Sequence, residues 1–212
     1  MLSMNWALLS AVVVMAIIAL MYWRFEKGRS DAKEVALVAT MAAIAGVSRV
    51  PFAVIMSFQP TTFIVMITGY VFGCQTGFVV GATAALISNF FLGQGPWTPW
   101  QMLSWGICGI LGGLMGRGKE KFHVALFAVA GFFCGFLFGW LMNIWHWLGF
   151  VYPLNWQTFL ATYIASFPFD ALHGVGNALF TFLFGPSFYN ILLRFRKKMY
   201  VDDQNEETSI DK

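Results

Sequence analysis

Apolar residues fill this chain in long runs, at 4–23, 35–57, 61–92, 100–116, 122–148 and 158–193, with short polar or aromatic breaks between them. A helix crossing a bilayer needs about 20 such residues. The run 61–92 would make about 48 Å of helix, too long for one crossing. Near its middle stands GYVFGCQTG (69–77), a plausible turn, so the pattern splits this run into two short spans. The break GFVYPLNW (149–156) carries tyrosine, tryptophan and proline, as suits a membrane interface.

Basic residues fix the parity of these crossings. They cluster at Arg24, Lys27, Arg29 and Lys33, at Arg117, Lys119 and Lys121, and at Arg194, Arg196, Lys197 and Lys198. The positive-inside rule puts all three clusters in the cytoplasm, so an even number of spans separates each pair. The expectation is an all-α integral membrane fold of six core spans over 34–198, the C-terminus cytoplasmic. An extra span and basic loop over 1–33 precede it, and a polar, acidic tail over 199–212 is expected to be disordered. A cleaved signal peptide is the competing reading of the first run. The start lacks Lys and Arg and the run ends in MYWRF, which favours a retained span.

Composition strengthens the membrane reading. Of 212 residues, 58% are hydrophobic and 11% charged, against about 25% charged in soluble domains; mean hydropathy is +0.68. Cys74, Cys108 and Cys134 lie in apolar context at unrelated spacings, suggesting neither disulfides nor a metal site. There is no G-x-x-x-x-G-K-[ST] phosphate loop and no H-E-x-x-H. No cofactor, metal or nucleic acid is expected.

Two charges interrupt the apolar runs: Arg49 is alone between Glu34 and Arg117, and Asp170 between Lys121 and Arg194. Ionisable residues inside a span usually face the bundle or a cavity. Counting from the cytoplasmic start puts Arg49 in the outer half of its span. A helix beginning near Pro168 would put Asp170 there too, and a salt bridge between the two would satisfy both. Asp170, His173, Asn177 and Thr181 recur at i, i+3, i+7 and i+11, within about an 80° sector of one helix. That polar stripe either lines a pocket or joins helices by hydrogen bonds.

The first core span shows the opposite pattern. Ala36, Ala39, Ala43 and Gly46 form a smooth stripe that suits a helix partner, inside or outside the bundle, with Arg49 about 100° away from it. Gly131, Gly135 and Gly139 form a similar ridge on the fifth core span, read as internal packing. The uncharged stretch GQGPWTPWQMLSWG (93–106) falls on the outer side. Pro96 and Pro99 stiffen it, so that Trp97 and Trp100 can stand at the mouth of a site, with Gln101 and Trp105 continuing the face inward. An interface belt of tryptophans is the alternative.

The stretches RVPFAVIMSFQPTTFIVMITGYVFG (49–73), SNFFLGQGPWTPWQMLSWGICGILGG (88–113) and SFPFDALHGVGN (166–177) resemble the substrate-binding S components of energy-coupling factor (ECF) transporters, over about residues 34–198. The tryptophan-rich run is most similar to the cobalamin-type subgroup. The resemblance implies a six-helix protein of the cell membrane that captures a vitamin from outside, then docks on a membrane coupling subunit served by two cytoplasmic ATPases and tilts in the bilayer. It places the docking surface at the Ala-x-x-x-Ala pair, here Ala39 and Ala43. The extra N-terminal span departs from the six-helix plan.

On this reading Arg49, Asn89, Gln94, Trp97, Trp100, Gln101, Trp105, Asp170, His173 and Asn177 line an outward pocket, with Trp140 and Asn143 contributing. Tryptophan faces and amides suit a corrinoid; they also suit a flavin, a pteridine or a queuosine-like base. Two other classes stay open: an integral membrane enzyme using Asp170 and His173 as an acid–base pair, and a scaffold that binds no solute.

Overall fold

The computed structural model describes residues 6–28, 32–119 and 121–210; Arg29 of the first basic cluster lies outside them. The described residues form seven α-helices and one 3-10 turn, without strands. They are α1 (Trp6–Lys27), α2 (Ala32–Val47), α3 (Thr61–Phe72), α4 (Cys74–Leu92), α5 (Thr98–Gly116), α6 (Val124–Phe150) and α7 (Trp156–Ile210). The number matches one added helix plus six core helices. The break within 61–92 falls at Gly73, whose φ of 102° belongs to glycine.

Five helices are long and apolar enough to cross a membrane by themselves: α1, α2 with its following turn, α4, α6 and α7. The other two owe their place to their neighbours. Helix α3 is about 18 Å long and buried along Thr61–Val71. Helix α5 carries Gln101, Ser104 and several glycines, and packs against α3 and α4. That seam is almost backbone to backbone: a Cβ at Gly109 would overlap Gly77. Such close approach lets dispersion contacts hold helices together where lipid offers no hydrophobic drive. Helix α6 pairs mainly with α7, and the ridge Gly131, Gly135 and Gly139 lies against Asn177, Gly174 and Asp170. Internal packing, as expected, is its role. Helix α1 rests on α4, α5 and α6 through buried Val14 and Ile18, and Tyr22 hydrogen-bonds Thr83 at 2.6 Å.

The three basic clusters gather at one end of the bundle. Gly28, beside Lys27, lies near Gln75; Tyr70 donates to the Lys121 carbonyl at 3.0 Å; Arg196 donates to the Val71 carbonyl at 2.9 Å. The 93–97 connection lies at the other end, beyond the far terminus of α4.

Two expectations need correction. The first core span does not run to residue 57: α2 stops at Val47, and Arg49 leads into a 3-10 turn at Val50–Phe52. Pro51 explains the stop, because it has no N–H to give the Val47 carbonyl four residues back and its ring crowds that carbonyl. Arg49 therefore stands on a connecting segment and not on a helical wheel. Secondly, no helix begins at Pro168. Helix α7 starts at Trp156 and runs through Pro168 and Pro186, as membrane helices can when neighbours compensate the lost hydrogen bond. Asp170 consequently sits 14 residues past Trp156 (170 − 156), about 21 Å along the helix. The α7 backbone continues to Ile210.

Candidate functional site

Arg49 is the hub of a polar network at the end of the bundle opposite the basic clusters. Its Nε donates to Gln59 Oε1 at 2.9 Å, and its Nη1 donates to Ser88 Oγ at 3.0 Å and Asn89 Oδ1 at 2.9 Å. The guanidinium lies over the Trp105 ring, 5.1 Å from its centroid. Arg49 and Gln59 come from the two ends of the α2–α3 connection, Ser88 and Asn89 from the last turns of α4, and Trp105 from α5. One side chain thus ties three parts of the fold together.

Asn89 passes the network to α5. Its Nδ2 donates to Gln101 Oε1 at 2.7 Å and to Thr98 Oγ1 at 3.0 Å. Thr98 donates to Gln94 Oε1, and Gln94 Nε2 bonds the Leu86 carbonyl. Gln94 is exposed and folds the 93–97 connection back onto α4. That connection turns at Gly93, where φ is 104°.

Below Arg49 the chain of contacts reaches α7. Trp105 Nε1 donates to Thr62 Oγ1 at 2.9 Å, and the same hydroxyl lies 2.7 Å from His173 Nε2. Phe138 packs on both rings, 4.6 Å from Trp105 and 5.1 Å from His173. Trp105 and His173 are buried, as are Asn89 and Gln101. Polar groups so deep in a membrane protein must be hydrogen-bonded or aimed at a ligand.

Asp170 belongs to a second, smaller group. Ser166 donates to its Oδ2 at 2.9 Å, and Asn143 Nδ2 donates to Ser166 at 2.6 Å. The carboxylate sits against Gly139 of α6. The expected Arg49–Asp170 salt bridge is not formed. Arg49 faces the α4–α5 side and Asp170 the α6–α7 joint, each with its own partners. Asp170 and His173 share a helix face yet hydrogen-bond to different groups.

The predicted stripe on α7 is buried along its length, with Asp170, His173, Asn177 and Thr181 each at most 5% exposed. It divides in function. Asn177 donates to the Gly131 carbonyl and Thr181 to the Asn177 carbonyl, which fastens α7 to α6 and to itself. Only His173 reaches the Arg49 network. Trp100 is buried with no partner for its Nε1. Trp97 is partly exposed and meets Trp145 edge-on at 6.2 Å. Trp140 does not join the polar interior; it is 48% exposed and lines an apolar groove of about 560 Å³ with Leu111, Phe133 and Leu137.

Gln59, Thr62, Ser88, Thr98 and Ser166 escaped the sequence reading. Each stands beside or within an apolar run, a weak signal that packing turns into a contact. The small-residue stripe of α2 also splits. Ala36 and Ala39 are exposed and Ala43 partly so, whereas Gly46 is buried against Ala84 and Ile87 of α4. The open part runs from Ala36 through Ala39 to Ala43.

The model of the ECF transporter substrate-specific component matches residues 33–185. The chain belongs to that family. The match begins at the start of α2, so α1 lies outside it, and it takes in both polar groups. No curated protein and no solved structure matches. Members of the family are membrane transport subunits that work with a coupling subunit and ATPases.

Proposed function

We propose that this S component captures a vitamin from outside the cell at the Arg49–Trp105 network and hands it inward after docking on a coupling subunit. The observation that carries this reading is Arg49. It is a half-buried cation held by neutral oxygens from the α2–α3 connection and α4, with one face on an indole. A merely structural joint would need fewer partners, and a scaffold would gain little from an uncompensated charge. Gln101, Asn89, Trp105, Trp100 and His173 form the walls around it, and Trp97 stands at the rim. The polar groups pair with one another, as a closed, solute-free site would. Entry requires the 48–60 and 93–97 connections to part. The C-terminus and the basic end of the bundle face the cytoplasm under this reading, following the positive-inside rule.

The substrate we favour is cobalamin or a related corrinoid. The tryptophan-rich stretch 93–106 and the amides of Asn89 and Gln101 support it. A flavin, a pteridine or a queuosine-like base is the alternative. Ala39 and Ala43, open on α2, offer the coupling subunit a smooth contact.

The test is uptake and binding measured together. The full chain, purified in detergent, should carry or bind a solute that mass spectrometry identifies. Uptake of that solute should stop in cells lacking the ATPase module. Replacing both alanines, Ala39→Leu with Ala43→Leu, should cut uptake about tenfold or more while leaving solute binding intact. Uptake that persists without the module would sink the reading.

A further inference from the structure

We infer that the solute carries an oxyanion, a carboxylate or a phosphate, and that Arg49 receives it. This rests on the reading of the Arg49 network as the solute site and adds the chemical class of the recognised end.

The argument is a balance of donors and acceptors. Among the described residues, Arg49 spends Nε and Nη1 on Gln59, Ser88 and Asn89, and Nη2 donates to nothing. Nη2 is also absent from the sealed, partnerless atoms, which are Gln75 Nε2, Trp100 Nε1 and Asn177 Oδ1. It therefore opens onto accessible space. Gln59 and Gln101 each use their carbonyl oxygen as an acceptor, for Arg49 and Asn89. Their amide nitrogens, like Nη2, have no described acceptor and are not sealed. Trp100, next to Gln101 in the first turn of α5, adds a buried Nε1 without an acceptor. The unfilled side-chain groups of Arg49, Gln59, Gln101 and Trp100 are thus all donors.

Charge points the same way. Every hydrogen-bond partner of Arg49 is neutral, and the one acid in the spans near this end, Asp170, is committed to Ser166 against Gly139. A guanidinium in a low dielectric without a counter-ion is costly. An arriving oxyanion would neutralise it and accept a charge-assisted hydrogen bond from Nη2, with the amide nitrogens of Gln59 and Gln101 as further donors. A neutral amide or ring edge would fill a donor or two and leave the charge exposed.

The experiment uses the full chain in detergent and two readouts. Solute released from the purified protein by heat is identified by mass spectrometry, whose fragments separate a carboxylic acid from a phosphate ester. Binding is then measured by thermal shift and equilibrium dialysis with matched probes: nicotinate against nicotinamide, pantothenate against panthenol, and cobalamin, with its phosphodiester, against cobinamide, which lacks it. Expected is an acidic solute in the wild-type extract, or binding confined to the anionic member of a pair. Arg49→Gln should weaken that binding about 100-fold, as loss of one partner of a buried charge pair does, and Arg49→Lys should restore part of it. A neutral solute in the extract, or equal binding of both members of a pair, overturns the inference and leaves the solute-site reading standing. No released solute and no probe bound overturns both. Should Arg49→Gln fail to fold, the wild-type comparison of anionic and neutral probes decides alone.

Discussion

Two charges interrupt the apolar bundle, Arg49 half-buried and Asp170 buried, and their surroundings differ in kind. Arg49 reaches side chains on a connecting segment and on α4, stacks on α5, and keeps part of its guanidinium unused. Asp170 reaches one serine on its own helix, which an asparagine of α6 supports in turn, and presses on a glycine. The first arrangement gathers several elements around a group with spare donors. The second fits two helices closely. A charge in a membrane span is thus not by itself a sign of a site; the number of elements it organises, and what it leaves unfilled, tell the two apart.

The comparison can be strained first at the joint. Gly139→Val places a side chain where the Asp170 carboxylate lies. Overpacking of that kind should cost about 3 kcal/mol, read as a lowered midpoint in thermal or SDS unfolding. A Gly139→Val protein as stable as wild type would show that α6 and α7 are not fitted as described.

A smaller effect is expected where the network touches α7. Thr62→Val removes the hydroxyl that accepts from Trp105 and meets His173. Two buried polar groups lose a partner, at a cost of about 1–3 kcal/mol. Solute affinity should fall with stability, because Trp105 carries the face on which Arg49 rests. Unchanged affinity alongside lost stability would assign Thr62 and His173 to structure alone.

The smallest effect is expected from Asp170→Asn. The amide oxygen still accepts from Ser166, so stability should move by under about 1 kcal/mol and solute affinity should hold. A tenfold loss of affinity in Asp170→Asn would erase the distinction between the two charges and bring Asp170 into the site.

How much of this was legible beforehand depends on whether a feature is local. The turn at Gly73 was, because an apolar run that exceeds the bilayer must break and glycine marks the cheapest place. The burial of Asp170, His173, Asn177 and Thr181 was also legible, since helical spacing alone puts them on one face. The partners of that face were not. Wheel arithmetic says which residues travel together and nothing about which helix they meet, so the Arg49–Asp170 salt bridge was a pairing of charge with charge, made without distances. Ser88, Thr62 and Ser166 were passed over for the same reason: a hydroxyl in a membrane helix can satisfy itself on its own backbone, as Thr68 does on the Ile64 carbonyl, and only packing aims it elsewhere.

By itself, then, the sequence determined that this is a membrane protein of one added and six core helices, with its basic clusters at one end and its tryptophan-rich stretch 93–106 starting at the other. Length, hydropathy and charge suffice for that, because the bilayer imposes them on each segment separately. Tertiary structure alone decided that Arg49 leaves α2 and turns toward Gln59, Ser88 and Asn89, that Trp140 faces outward, and that Asp170 stays with α6. Those outcomes depend on how closely glycine-lined helices approach and on which polar atoms that approach brings within about 3 Å of one another, and no single segment contains that information.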